Sequence, residues 1–495
     1  MTTSHEKPFR IIIVGCSVAG LTLANALQLS HRNVDCTVLE SRGDSSSAYT
    51  GASLTLLPNG IRILNQLGVL EEVAEASASV TRHTTWLDGG HLLKIVYPRE
   101  LRSARHGYDM RVIERGQLIR ILRKRLETKD GEVRVIPNKR VVRFQETTSG
   151  ILAQCSDGTS FEGDMVVGAD GIHSICRRAI GEVVQCTPRP RNHYTGIFGT
   201  SRPLPGMPFL SYGDVHRVYG TGFSFIVSVG VDRQIYWLLS IKNKEGPHSR
   251  YTRTAEYAEK EHSIESQITP FLKRKITPNL RFADLYAERI TCRQVALEEM
   301  LYEHWTARRI VCIGDSVHKM TPNLAQGANS AIESAASLAN HIVDSLDANR
   351  DPLCDLSAWA ANRKRRIRFF YVYAWILVRC ESFVSTGYWL LGMHIALYHA
   401  ELVISHIADI GDRSVRVTFL PDGVSGGIQD YQHLDAGERR RRVQTAGRDG
   451  LWVSVILAFL HELLVRVAFA VLDGVVALWD VCCWHRHGVA ETHIS

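Results

Sequence analysis

The stretch Arg10-Ile11-Ile12-Ile13-Val14-Gly15-Cys16-Ser17-Val18-Ala19-Gly20, with Glu40 twenty residues past Gly20, decides the fold. Arg10–Val14 is a short β-branched run that stops at a glycine, the pattern of a strand buried on both faces. Val18–Leu29 then places apolar Val18, Leu21, Leu23 and Leu27 among small Ala19, Ala24 and Ala26, which predicts a helix. Val34–Leu39 (VDCTVL) predicts a second strand, and Glu40 follows it directly. This is a βαβ unit. Gly15 permits the tight turn out of the strand, and Gly20 permits close approach of helix and strand. The helix N-terminus is then free to face a pyrophosphate, with Glu40 placed to accept from a ribose hydroxyl. Ser17 stands where the middle glycine of such a fingerprint is expected, so the match is incomplete at that position.

Further along, Leu54–Gly68 reads as a turn into a helix, and Arg115–Leu126 as an amphipathic helix. Met165–Gly168 reads as a strand, as does Arg309–Ile313, which a helix from about Gln326 to Leu346 follows. Between Cys186 and Ile241 the helical period fades. Short β-like runs such as Phe223–Val229 and Gln234–Ile241 predict an inserted antiparallel sheet.

A chain of 495 residues with 45% hydrophobic and 22% charged residues can bury a large core in two or three domains. The net charge of +7 is concentrated in Arg363–Arg368 (RKRRIR) and Arg439–Arg442 (RRRR). That clustering argues against a general nucleic-acid surface and for work near a membrane, the alternative being a solvated charged face. The 11 cysteines show no zinc spacing. Cys482, Cys483, His485 and His487 are clustered, but adjacent cysteines rarely share one tetrahedral site, so no metal is expected. Reduced thiols fit a cytosolic setting. No secretory signal is expected, because Met1–Arg10 is polar and Ile11–Val14 is too short for a signal core.

Two more motifs follow in order. One is Gly168-Ala169-Asp170-Gly171-Ile172-His173-Ser174, with Arg177 beyond it. The other is Gly314-Asp315-Ser316-Val317-His318, running through Met320-Thr321-Pro322 to Gln326-Gly327-Ala328-Asn329. Over roughly Arg10 to His341, the three signals resemble the class A FAD monooxygenases typified by para-hydroxybenzoate hydroxylase. The resemblance implies an α/β fold, with a Rossmann-like FAD-binding domain interleaved with a β-sheet substrate domain. It divides the chain into an FAD-binding region over 1–185 with substrate-domain strands within about 80–110. A mainly substrate region over 186–300 and a further FAD-binding region over 301–368 follow. It implies that Gly15, Gly20, Glu40, Gly51, Ala52, Asp170, Asp315, Gly327 and Ala328 contact FAD. Asp315 would accept from the ribityl chain, and the helix near Gln326 would point its amides at the flavin. An arginine opening a helix is implied on the flavin side. Arg115 fits best and Arg111 second.

The loop Gly51-Ala52-Ser53 before Leu57-Pro58-Asn59-Gly60, and Gly-x-Ser-Val-Ala-Gly at the fingerprint, resemble the fungal paxilline-type and meroterpenoid epoxidases, which makes Ser17 a feature of that subgroup. The resemblance implies oxygen transfer from O2 to an electron-rich alkene or ring, with NADH or NADPH as reductant. An epoxidation of a prenyl or terpenoid chain on a lipophilic intermediate is the reading adopted. Aromatic-ring hydroxylation in the same family and a membrane flavoprotein without oxygenase activity are the alternatives. A flavin halogenase is not indicated, since no WxWxIP-like segment is present. Alkene epoxidation needs no strong base. Tyr219, in the glycine-rich Val218–Ser224, is the candidate catalytic residue, and Tyr212 is nearby; His318 reads as structural.

Residues 369–495 are expected to form a hydrophobic helical extension. Phe369–Val378 and Tyr388–Ile407 are apolar and aromatic, and Asp409–Gly450 is a polar linker. Leu451–Leu472 has roughly membrane-spanning length but carries His461, Glu462 and Arg466, the last two a helical turn apart. The expectation is attachment to membrane lipid with the catalytic region on the cytosolic side, at the endoplasmic reticulum.

Overall fold

The structure is a computed structural model that describes residues 7–43, 52–98, 108–127, 133–186, 190–244, 260–394 and 414–422. All of these lie in the first of two units, Met1–Gly427 and Ile428–Ser495. Gly51, the 395–407 part of the second apolar run, Leu451–Leu472 and the Cys482–His487 cluster lie outside the described residues.

The βαβ unit at the start of the chain builds the first sheet. Its six strands run in the order Thr306–Ala307, Ile310–Cys312, Met165–Gly168, Phe9–Val14, Val34–Leu39, Val133–Ile136. Phe9–Val14 is parallel to both neighbours, with Ile13 opposite Val167 on one side and Val38 on the other. A strand paired on both edges and covered on both faces needs apolar residues at every position, which is why Ile11, Ile12 and Ile13 are all buried. Helices Val18–Leu29 and Gln326–Asp347 pack against each other beside this sheet.

The second sheet has eight strands in the order His318–Lys319, Arg289–Leu301, Arg191–Ser201, Ile235–Lys242, Phe223–Val229, Asp214–Gly220, Arg82–Leu87, His91–Val96. The pairings are antiparallel except that of Asp214–Gly220 with Arg82–Leu87. Alternation gives it two different faces. One face carries Ile197, Val218, Phe225, Trp237 and Leu239, packed with Phe282 and Leu285 of the short helix Phe282–Ala287. The other carries Arg217, Ile226, Leu238 and Phe198 in one cross-strand row.

Two expectations are corrected. Phe369–Val378 does not begin an extension at residue 369. It lies inside one helix, Leu356–Glu381, whose Ile367, Phe370, Ala374 and Leu377 belong to the main core. An apolar run of that length serves a buried helix as well as a membrane. Arg363–Arg368 is not a free basic patch either. Arg363 is buried and donates to Glu333 at 2.6 Å, Arg366 donates to the same carboxylate at 2.8 Å, and Lys364 pairs with Glu303. Among the described residues, no helix is long and apolar enough to cross a membrane.

Residues 414–422 are held on the FAD-side core by side-chain amides that act as strand partners. Gln66 donates to the Val417 carbonyl at 3.0 Å and accepts its amide at 2.9 Å. Asn340 donates to the Arg416 carbonyl at 2.6 Å and accepts the Thr418 amide at 3.0 Å.

Candidate functional site

The first parallel sheet brings the three motifs to one end of its strands. At the fingerprint, Gly15 has φ +109°, and a Cβ there would stand 2.4 Å from the Ala169 carbonyl oxygen. A Cβ on Gly20 would stand 2.1 Å from the Gly15 carbonyl oxygen. Both positions therefore require glycine, one for conformation and contact, the other for contact alone. The Cys16 amide donates to Glu40 Oε2 at 2.9 Å, and the Arg42 amide donates to Oε1 at 3.0 Å. Glu40 thus ties the fingerprint loop to the end of the second strand.

Arg115 opens the helix Arg115–Glu127 and donates to Ser17 Oγ at 3.0 Å, while its amide donates to the Ala52 carbonyl. The serine in the middle-glycine position therefore has an arginine partner. Arg111, the second choice, donates to Ser77 Oγ and to the Ala74 and Ser77 carbonyls, a structural set of partners.

Asp170 Oδ2 accepts from the Ile175 and Cys176 amides at 2.7 and 3.3 Å, at the start of the helix Ile175–Val183. Its Oδ1 is buried without a protein partner. Burial pushes the Asp170 carboxyl pKa up, although Ser174 and the helix amides oppose that. Gly314 has φ +67°, and its Cβ position lies 3.1 Å from Ala19 Cβ, so the Gly-Asp turn rests on the fingerprint helix. Asp315 follows. Burial acts to raise its pKa, but the Lys319 ammonium at 2.5 Å and the nearby Arg115 outweigh burial and hold it below the usual range.

The helix Gln326–Asp347 starts from Ala325, a non-glycine residue at φ +57°. Left-handed alanine costs about 1 kcal/mol and is held only where the surroundings fix it. Space is open above Gly327, where a Cβ would meet nothing within 4 Å. Buried Asn323 Oδ1 and Gln326 Nε2 have no protein partner. Open space over a helix N-terminus, orphaned polar atoms beside it and the Asp170 Oδ1 orphan fit a polar, partly anionic cofactor such as FAD.

Tyr219 is where expectation and structure part. It faces the same side as Arg217, but it is buried and packed edge-on to Phe383 with ring centroids 6.0 Å apart. Burial drives its pKa well above the ordinary phenol range, so it is unsuited to proton transfer near neutrality. Tyr212 is exposed and donates to the Ser77 carbonyl. His318 is buried, bonded to Ser334 and set against Trp305, a structural arrangement.

Sequence reading missed a buried polar network joining the second sheet to the loop before Gln326 and to the end of the helix Leu356–Glu381. Arg217 donates through Nη2 to the Asn323 carbonyl at 2.6 Å, through Nε to His83 at 3.0 Å and through Nη1 to Glu381. Asn323 Nδ2 also donates to Glu381. A second network centres on Glu333, which accepts from Arg363, Arg366 and Asn59. Only the charge types were visible in the sequence, not the pairings.

Fold and site together define a flavin-binding protein that carries a second, eight-stranded sheet. The model of the FAD binding domain matches residues 9–367. The chain belongs to that family and is an FAD-dependent monooxygenase, acting on a small-molecule substrate with O2. It is 34% identical over 400 residues to the FAD-dependent monooxygenase ctvC of Aspergillus terreus, covering 77% of this chain and 81% of that one. It is 33% identical to atmM of Aspergillus flavus over 83% of this chain and 87% of that one. It is 34% identical to paxM of Penicillium paxilli over 68% and 70%. In fold it resembles Klebsiella pneumoniae HpxO complexed with FAD and uric acid, with a TM-score of 0.64 and 20% identity, covering 82% of this chain and 97% of that one.

Proposed function

We propose that this monooxygenase epoxidises a prenyl or terpenoid chain of a lipophilic biosynthetic intermediate, with NADH or NADPH as reductant. The carrying observation is the row Ile226–Leu238–Phe198 on the sheet face that Arg217 connects to the loop before Gln326. Oxygen transfer to an alkene needs a shielded apolar wall more than it needs a proton-transferring group, and Tyr219 supplies none. The fungal relatives and the Gly-x-Ser-Val-Ala-Gly fingerprint support the same reading. Incubation with farnesylated and geranylgeranylated aromatic acceptors, followed by mass spectrometry, tests it. A gain of one oxygen on the prenyl chain is expected; a new phenol on the ring would replace this reading by aromatic hydroxylation.

The reading extends to location. The sequence Leu451–Leu472, with Arg439–Arg442 ahead of it, suits spanning or interfacial attachment with the catalytic region cytosolic, at the endoplasmic reticulum in a fungal cell. Exposed Trp389, Leu390 and Leu391 on the helix Thr386–His394 add apolar surface. A membrane-docked enzyme meets a prenylated substrate at high local concentration. Full recovery of the intact chain in the soluble fraction, without carbonate or detergent, would refute attachment.

A further inference from the structure

Arg217 is the cation placed directly in the apolar row of the substrate sheet. Across the row it is followed by Ile226, Leu238 and Phe198, and then by Arg293, which is exposed. A guanidinium in such a wall would ordinarily grip a carboxylate or phenolate, because its planar fork matches two oxygens. Here the fork is occupied. Nη1 is taken by Glu381, Nη2 by the Asn323 carbonyl and Nε by His83. Glu381 has a side-chain exposure of 1%, against 17% for Arg217. His83 is held neutral by burial and by Arg217, its pKa pushed down to about 3. Glu381 therefore supplies the carboxylate that faces Arg217; burial pushes its pKa up, and Arg217 and the Asn323 amide pull against that. It comes from the end of the long helix Leu356–Glu381, 164 residues away in sequence.

We infer that Glu381 is a specificity-determining residue: by engaging Arg217 it removes an anion-binding site from the substrate wall and commits that wall to uncharged, lipophilic substrates. This rests on the substrate region assigned above. Glu381 acts through Arg217 and through Asn323, so it positions as well as neutralises. Arg293 does not replace the lost cation, because an exposed, solvated charge holds a carboxylate weakly.

The test uses the FAD-loaded full-length enzyme at pH 7.5, with ligand binding read from the change in flavin absorbance. Salicylate is the anionic probe, and farnesylhydroquinone the neutral one. The wild type is expected to respond to the neutral probe and scarcely to salicylate. Glu381→Gln, which keeps the shape and removes the charge, should bind salicylate at least tenfold more tightly, with the gain lost at high salt. The double variant R217Q/E381Q should return to wild-type selectivity, which a purely structural role of Glu381 would not produce. R217Q alone should leave the weak salicylate response of the wild type unchanged, and this arm remains informative if E381Q folds poorly. Equal salicylate affinity in wild type and a folded, flavin-loaded E381Q would overturn the inference. So would loss of salicylate binding in R217Q, since Arg217 would then be open to anions already. Formation of a phenol instead of an epoxide would refute the proposed reaction and leave these binding results standing.

Discussion

Glu333→Gln should destabilise the protein by about 3 kcal/mol and loosen FAD together with it. The Glu333 side chain is fully buried and accepts from Arg363 Nη1 at 2.6 Å, Arg366 Nε and Nη2 at 2.8 Å and Asn59 Nδ2 at 2.8 Å. Burial raises its pKa, but Arg363 and Arg366 reverse this and bring it down to about 2 from 4.5. At about 1.36 kcal/mol for each tenfold in proton affinity, the charged form gains roughly 3 kcal/mol on folding. Removing one partner of a buried pair costs about 3–5 kcal/mol, because Arg363 is then left charged and buried. The two routes agree. The carboxyl pKa is depressed in the folded state, so its contribution is complete above about pH 4.5 and is lost as pH falls through about 2. Urea unfolding of the FAD-loaded protein, followed by tryptophan and flavin fluorescence, measures the effect. The midpoint should fall with little change in the slope. Because Glu333 lies on the helix that starts at Gln326 and grips Asn59 across from it, FAD affinity should fall in the same variant. A loss below about 1 kcal/mol at pH 7 would refute the reasoning, since it would mean that Arg363 finds another partner without cost.

Gly20→Ala places a Cβ 2.1 Å from the Gly15 carbonyl oxygen, so the turn must move; thermal unfolding should drop by an amount matching about 1–3 kcal/mol, and equilibrium dialysis should show weaker FAD binding. Asp315→Ala should strip FAD or cut its affinity sharply on gel filtration while the apoprotein stays folded, because it removes the carboxylate expected to meet the ribityl chain. Glu40→Ala should weaken FAD and also lower apoprotein stability, since its carboxylate holds the Cys16 amide; circular dichroism of both forms separates the two effects. His216 and His318 are held neutral chiefly by burial, with pKa values pushed down to about 4. The unfolded chain takes up these protons near pH 6.5 and the folded one does not, so stability should fall as pH drops from about 6.5 to 4, and a flat melting temperature across that window would contradict the assignment.

The FAD side of the fold was legible because its signals are local. Arg10–Val14 is apolar at every position after its first, as a central parallel strand demands, and Gly15, Gly20 and Gly314 sit where no Cβ fits or φ is positive. The aromatic run Phe369–Val378 misled because hydropathy does not distinguish a helix against a core from one against lipid. The network partners Arg217 and Glu381 stand 164 residues apart, and Glu333 and Arg363 stand 30 apart. In sequence each reads as an ordinary surface charge, and only the tertiary fold pairs them. Tyr219 misled through its glycine-rich neighbourhood, which places a backbone well but says nothing of what covers the ring.

The most direct test of the central claim is oxygen labelling. The purified enzyme, with NADPH and a farnesylated aromatic acceptor, is run under 18O2 in ordinary water and, separately, under 16O2 in H2 18O. The account predicts a yellow protein with FAD bound, and a product gaining a single 18O from the gas and none from water. NADPH oxidation that yields only hydrogen peroxide, or a product labelled from water, would contradict it.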